Sequence, residues 1–452
     1  MLVSDVNALL QRWPRERPLA CLFTAGVERE GGFCLAAEPT SHVEFASPDA
    51  FDALQRALPQ PIGMGSHLTG RGWMLCLSYE LGGLIEPSAG ARPRRRQQWP
   101  YVTLMRCEGC FIGSHSNGWT PLGDPTAIPV LRDQTMPTCT TGTVHAAHDR
   151  AAYEANVATI IDLIHAGDCF QANIAQRFSC SFNGSVRALA AAAFDAAQPQ
   201  FGAVLETSPG RAVVSMSPEL FLDISDNTIR TKPIKGTRPA HVDPAALEAS
   251  SKDSAELAMI VDLMRNDLGR LCAPGTIDVT SPRSIESLPT VHHAVAEVQG
   301  SLAKPTTLGD VLRATFPPGS ITGAPKIRAM QIIDDLEATE RGPYCGAVGW
   351  LDDSGRLVLN VSIRTIAATG TPGASPDLID GRLDYFAGCG IVAESTPADE
   401  YAESIAKQAV FEQTCARLGA QGHVGPSLDV EVLDVGRCNT PPVQPTPLGE
   451  QR

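Results

Sequence analysis

Lys235 stands in Pro233-Ile234-Lys235-Gly236-Thr237-Arg238. A lysine at a strand end either attacks carbon as a nucleophile or rests as a solvated charge. The amine is nucleophilic only when neutral, so a reactive lysine needs burial or a neighbouring cation to lower its pKa from about 10.4. The flanking residues suit such a site. Pro233 fixes φ, Gly236 permits close backbone approach, and Asn227 to Lys232 reads as a turn followed by a strand. Alternation places Ile229, Thr231, Pro233 and Lys235 on one mostly uncharged face. Taken alone, the segment fits a structural or solvated lysine better than a reactive one, so the decision falls to the rest of the chain.

Two carboxylate pairs occur at helical spacing. Asp253 and Glu256 open the amphipathic run Leu257, Ile260, Val261, Met264, Leu268, which closes at Gly269. Glu400 and Glu403 repeat the spacing, with Lys407 one turn later on the same side. Together the four acids offer hard oxygen ligands for Mg²⁺; singly, each pair reads as a solvated helix face. The stretch Phe316 to Lys326 sets Ser320, Thr322 and Gly323 just before a helix pattern at Ile327, Met330, Ile333 and Leu336, with Pro325 in the first turn. Free N–H groups and hydroxyls there hold a carboxylate or phosphate, or simply cap a loop. In Tyr385 to Val392, Gly388 and Gly390 mark close approach by a ligand or by a neighbouring chain. Of His292 and His293, one packs in the core and the other is free to meet a substrate. Cys107 and Cys110 have redox or zinc spacing but no matching second pair, and read as structural.

The elements that position these groups follow from composition and punctuation. The 452 residues, 43% hydrophobic and 19% charged, describe a well-cored globular protein. A net charge of −14 argues against nucleic-acid or anionic-membrane partners, so a small anionic substrate needs a local basic pocket. Thirteen cysteines without a framework, and no signal-peptide pattern at the start, point to the reducing cytoplasm. No apolar run is long enough to span a bilayer. Residues 1–148 read as mainly β and part of the same body, with Arg92 to Arg96 as a solvated basic loop. Residues 149–420 read as the α+β catalytic domain, and residues 421–452 as a Pro-rich mobile tail. One strand is expected over Arg356 to Ala367, with Leu357, Leu359, Val361 and Ile363 inward and Arg364 on the opposite face.

Taken together, Ala166 to Asn173, Ser217-Pro218-Glu219, Pro233 to Pro239, Met259 to Arg270, Ser320 to Lys326 and Ala387 to Val392 resemble the chorismate-utilising enzymes. Within that family the chain is similar to the branch that aminates chorismate on the way to para-aminobenzoate and folate. The resemblance runs from about Asp149 to Leu418. It implies an antiparallel β-sandwich with outer helices, of the α+β class. It implies that Lys235 adds to ring carbon 2 of chorismate as the 4-hydroxyl leaves, after which ammonia enters at carbon 4 and expels the amine. Glu219 matches the acid that assists the departing hydroxyl, which requires a raised pKa. Glu256, Glu400 and Glu403 match a Mg²⁺ site, with Asp253 a further acid beside it. Gln171, His293, Ser320, Thr322, Gly323, Tyr344, Arg364, Gly388, Gly390 and Lys407 match substrate-contacting positions, and the two cations suit a dianion.

Lys235 also separates branches of the family. The anthranilate synthase large subunit, the rival reading, usually has alanine there and eliminates pyruvate, while water-using relatives carry a lysine base where this chain has Gln171. A regulatory subunit without catalysis is the other rival, disfavoured because Lys235, Glu219 and both acidic pairs are present. Ala240 and Leu257 depart from the resembling pattern in residues beside the site. No Gly-x-Cys-x-Gly elbow of a glutaminase is found, Cys389 lying in Gly388-Cys389-Gly390. The expected nitrogen source is therefore free ammonia or, as the resemblance implies, a separate glutaminase subunit.

Overall fold

The structure, a computed structural model, describes residues 3–24, 34–89, 98–114, 118–287, 291–337 and 339–419. The basic run at Arg92 to Arg96 and the tail expected over 421–452 lie outside the described residues.

Two antiparallel sheets, of 12 and 10 strands, form the body. Their central strands, such as Ala20–Thr24, Gly72–Leu77 and Leu357–Val361, are buried on both faces, so successive residues serve different cores. Ala20 and Leu22 pack between the sheets while Cys21 and Phe23 face outward, and Met74 and Cys76 pack inward while Leu75 and Leu77 face outward. The inner layer includes the buried apolar side chains of Val213, Val348 and Trp350. Helices cover both outer faces. Val3–Arg12, Val186–Ala197 and Pro397–Gly419 pack on the larger sheet, and Ala50–Ala57, Ser251–Gly269 and Leu308–Thr315 on the smaller. This is the expected α+β sandwich with outer helices.

The chain before Asp149 supplies strands to both sheets. Ala20–Thr24 pairs with Phe201–Ser208 in the larger sheet, and Gly72–Leu77 pairs with Ala347–Asp352 in the smaller. The longest pairing joins Gln171–Ser185 to Leu378–Ile391, from Ala172 opposite Ile391 to Ser185 opposite Leu378.

The single strand expected over Arg356 to Ala367 is two. Leu357–Val361 lies in the smaller sheet and Thr365–Pro372 in the larger. The chain crosses between them through Ser362 to Arg364, where Arg364 takes φ +50°. Arg364 is thus a turn residue between layers, and a period-two pattern carried through it hides the break. The helix that Asp253 and Glu256 open runs Ser251–Gly269, and the Ser250 hydroxyl accepts the Asp253 N–H at 3.3 Å to cap its first turn.

Candidate active site

Lys235 sits on strand Ile234–Pro239, next to the bulge between Ile234 and Thr237 where Gly236 has φ +89°. A left-handed backbone here needs glycine, and a Cβ on Gly236 would also meet the Asp253 carboxyl carbon at 2.9 Å. The bulge aims the lysine out of the small sheet towards the end of the large one. A Cβ built on Gly390 would stand 3.0 Å from Lys235 Nζ and 2.4 Å from Gln171 Nε2. Lys235, Gln171 and Gly390 therefore share one small space, which exists because Gly390 has no side chain. Burial is the largest influence on the Lys235 amine and lowers its pKa. The Glu256, Glu219 and Glu403 carboxylates oppose that shift, and the Lys407 cation adds to it.

Glu219 approaches the same lysine from the start of strand Leu220–Ser225. It is 4% exposed, and burial pushes its carboxyl up to about 7 against the opposing pull of the Ser320 hydroxyl, Lys235 and the Ile234 backbone. Its backbone is fixed from both sides: the Glu219 N–H donates to Ser217 Oγ at 3.1 Å, and its carbonyl accepts from the Val361 N–H at 3.0 Å. A carboxyl near 7 is poised to donate a proton at neutral pH.

The amide of Gln171 is fully buried, and neither Oε1 nor Nε2 has a hydrogen-bond partner among the described residues. Leaving both ends of a buried amide unmade is costly, so the group is aimed at something the protein does not itself supply. His293 repeats the theme. Its Nδ1 pairs with Thr237 Oγ1 at 2.8 Å, its buried Nε2 has no partner among the described residues, and burial with the Arg364 and His292 charges lowers its pKa to about 3. Both histidines are buried, and His292 has both ring nitrogens engaged, by Ser287 Oγ at 2.8 Å and the Ala240 carbonyl at 3.2 Å. Burial also pulls the Arg364 guanidinium down, opposed by Tyr385. Tyr344 stacks on Phe386 at 5.2 Å.

Glu400, Glu403 and Lys407 come from one face of helix Pro397–Gly419. Carboxylate oxygens of Glu400 and Glu403 and the Cys389 thiol lie within 4.8 Å of one another. Glu256 is near enough to Glu400 for their charges to interact, and burial, with Asp253 and Glu400 adding to it, raises its pKa while Lys235 and Lys252 oppose the rise. Asp253 is turned the other way, into an ion pair with Arg238 at 2.8 Å. Lys407 is engaged by Glu403 at 2.7 Å and by the Gly388 carbonyl at 2.9 Å. Burial alone would raise Glu403, but Lys407, Lys235 and Lys252 bring it below the usual carboxylate range.

Not every glycine and hydroxyl of the motifs faces this space. A Cβ on Gly388 would meet the Ile174 carbonyl at 2.1 Å, so that glycine serves strand pairing. Gly323, at φ +145°, likewise packs against the Gln171 carbonyl. The Thr322 hydroxyl donates to the Pro318 and Gly319 carbonyls at 3.1 and 3.3 Å, closing its own turn. Lys326 is tied to Asp267 at 2.6 Å. Cys107 and Cys110 are buried free thiols whose pKa values burial pushes up, as structural cysteines require. Sequence reading missed Glu337 and Arg341, a buried pair at 2.6 Å that binds the backbone of strand Gln171–Ser185. Their spacing of four residues on either side of a helix end is the one signal that marks them.

A family model described as chorismate binding enzyme matches residues 20–413. Aminodeoxychorismate synthase component 1 of Klebsiella aerogenes is 40% identical over 365 residues, covering 77% of this chain and 78% of that protein. The Salmonella typhimurium protein of the same name is 42% identical over 251 residues, covering 54% of this chain and 53% of the relative. The crystal structure of anthranilate synthase component I from Streptococcus pneumoniae TIGR4 superimposes with a TM-score of 0.71 at 26% identity, over 84% of this chain and 92% of that one. The chain belongs to the family of chorismate binding enzymes.

Proposed function

We propose that the protein aminates chorismate at ring carbon 4, giving 4-amino-4-deoxychorismate, with Lys235 as the covalent nucleophile. The observation that carries this reading is the Lys235 amine, with its pKa lowered by burial, at the space left by Gly390 and within electrostatic reach of the raised Glu219 carboxyl. The Lys235 nitrogen forms a bond to carbon 2 as the ring double bonds shift and the carbon 4 hydroxyl departs. Glu219 gives that hydroxyl its proton, so it leaves as water. Ammonia then bonds to carbon 4, the double bonds shift back, and the bond to Lys235 breaks. Glu219 recovers a proton from the entering nitrogen, leaving the net exchange of one hydroxyl for one amino group. Splitting one allylic displacement in two keeps each step within reach of groups already in place.

The acids Glu256, Glu400 and Glu403 fit Mg²⁺. They are hard oxygen donors: oxygens of Glu400 and Glu403 lie within 4.8 Å of one another, and Glu256 is near enough to Glu400 for their charges to interact. Bound there, the ion neutralises a substrate carboxylate and fixes the ring. Asp253 holds Arg238 beside this array. The unpartnered Nε2 of His293 and the Arg364 cation are suited to the substrate's polar rim, and the unpartnered Gln171 amide to the entering ammonia or the ring. The ammonia comes from a separate glutaminase subunit, consistent with relatives that carry the designation component 1.

Incubation with chorismate, Mg²⁺ and ammonium, followed by product identification, tests the reading. It predicts an aminated, non-aromatic product without pyruvate. Pyruvate with a fluorescent aromatic amine would mark an anthranilate-forming enzyme instead.

A further inference from the structure

We propose that Arg341 is a positioning residue that locks the segment carrying Gln171 to the turn carrying Ser320, and so keeps the Ser320 hydroxyl on the Glu219 carboxyl. The proposal rests on the reading of Glu219 as the proton donor. Arg341 is 2% exposed and uses its whole fork. Nε and Nη2 donate to Glu337 at 2.8 and 2.6 Å, Nη2 also donates to the Asn173 carbonyl at 3.0 Å, and Nη1 donates to the Ile321 carbonyl at 3.3 Å. The guanidinium lies 4.5 Å from the Tyr79 ring and 5.7 Å from that of Tyr344. Glu337 extends the grip by accepting the Ala175 N–H at 2.8 Å.

The two carbonyls are well placed for control. Asn173 follows Gln171 by two residues, and Ile321 is next to Ser320. The Ile321 carbonyl has a second donor, Asn173 Nδ2 at 3.0 Å, while the Asn173 N–H donates to the Thr322 carbonyl at 2.8 Å. The two segments already pair as strands, Gln171 opposite Ala324 and Ala172 opposite Gly323, and the Arg341 cation and the Asn173 amide add the side-chain ties that reach the Ser320 turn itself. Ser320 lowers the Glu219 pKa from the value that burial alone would set, so a shifted turn has a readable consequence. The titratable groups facing Glu219 are Lys235 and Cys345; the Arg341 charge itself acts on Cys345, so Arg341→Lys is read together with Asn173→Ser, which leaves both groups and the Arg341 charge in place.

Arg341→Lys keeps the charge but loses the fork, and Asn173→Ser removes the second donor with little change of charge or bulk. For each, kcat falls about tenfold while the KM for chorismate changes little, and the Glu219 limb of the pH profile, near 7 in the wild type, moves to higher pH. A melting curve shows that the variant is folded. Should Arg341→Lys fail to fold, Asn173→Ser decides alone. A wild-type profile lacking that limb removes the Glu219 reading and the lock with it. A wild-type limb that stays in place in a folded variant of unchanged kcat removes the lock alone.

Discussion

Gly390 and Lys235 are neighbours across the two sheets: a methyl group on the glycine would reach within 3.0 Å of the lysine Nζ. That relation, rather than the lysine alone, makes the site. One small space is bounded there by an amine, the Gln171 amide and a backbone without a side chain, the space the proposed function gives to the ring.

Gly390→Ala therefore acts on chemistry. The atoms it meets, Gln171 Nε2 at 2.4 Å and Lys235 Nζ at 3.0 Å, are ends of side chains that yield. We predict a fall in kcat/KM of about 10²-fold, from misplacement of reacting groups, with an almost unchanged melting temperature. Gly388→Ala is the contrasting case, because its Cβ would meet the Ile174 carbonyl at 2.1 Å in a strand that cannot yield cheaply. It lowers the melting temperature. Thermal melts and steady-state kinetics on the pair separate the two effects.

The proposed mechanism uses a protonated Glu219 and a neutral Lys235, and burial pushes both in that direction. Deprotonating Glu219 above about 7 removes the proton donor, so activity is lost as pH rises through that value; protonating Lys235 at lower pH removes the nucleophile. The kcat/KM profile is a bell with one limb near 7. Glu219→Gln lowers kcat by about 10²- to 10⁴-fold and abolishes that limb.

Much of this site was legible in the sequence. The spacing of Glu400, Glu403 and Lys407 placed them on one helix face and the glycines of Tyr385 to Val392 marked a close approach, found between Gly390 and Lys235, whereas Glu219 came from the family resemblance alone. What could not be read depends on contacts between distant segments. Thr322 turned out to cap its own turn, Asp253 to hold Arg238, and Gly388 to serve strand pairing. Arg364 lies in a left-handed turn between sheets, a break that an unbroken apolar alternation conceals. Glu337 and Arg341 bind main-chain groups, which carry no side-chain signature in a sequence.

Removing the metal tests the acidic array. The expected result is that EDTA abolishes activity and added Mg²⁺ restores it. Glu256→Gln or Glu400→Gln raises the Mg²⁺ concentration needed for half-maximal rate, because each removes one hard oxygen charge. Unchanged Mg²⁺ dependence in both variants would remove these residues from the metal site.

A stability prediction concerns a part of the fold away from catalysis. Arg187 and Glu206 form an ion pair at 2.7 Å with both side chains 2% exposed, and Arg187 also donates to the Trp13, Pro14 and Arg17 carbonyls. Arg187→Ala leaves Glu206 buried without its cation and costs about 3–5 kcal/mol in a denaturant titration.

The central claim is a bond between Lys235 and the substrate ring. Chorismate and Mg²⁺ are mixed with the protein in the absence of ammonia, quenched in acid, digested and examined by mass spectrometry. A peptide containing Lys235 that carries the mass of one chorismate less one water, absent from Lys235→Ala, is the predicted result. Turnover to the aminated product by Lys235→Ala at the wild-type rate, with the wild-type peptide unmodified, would contradict it.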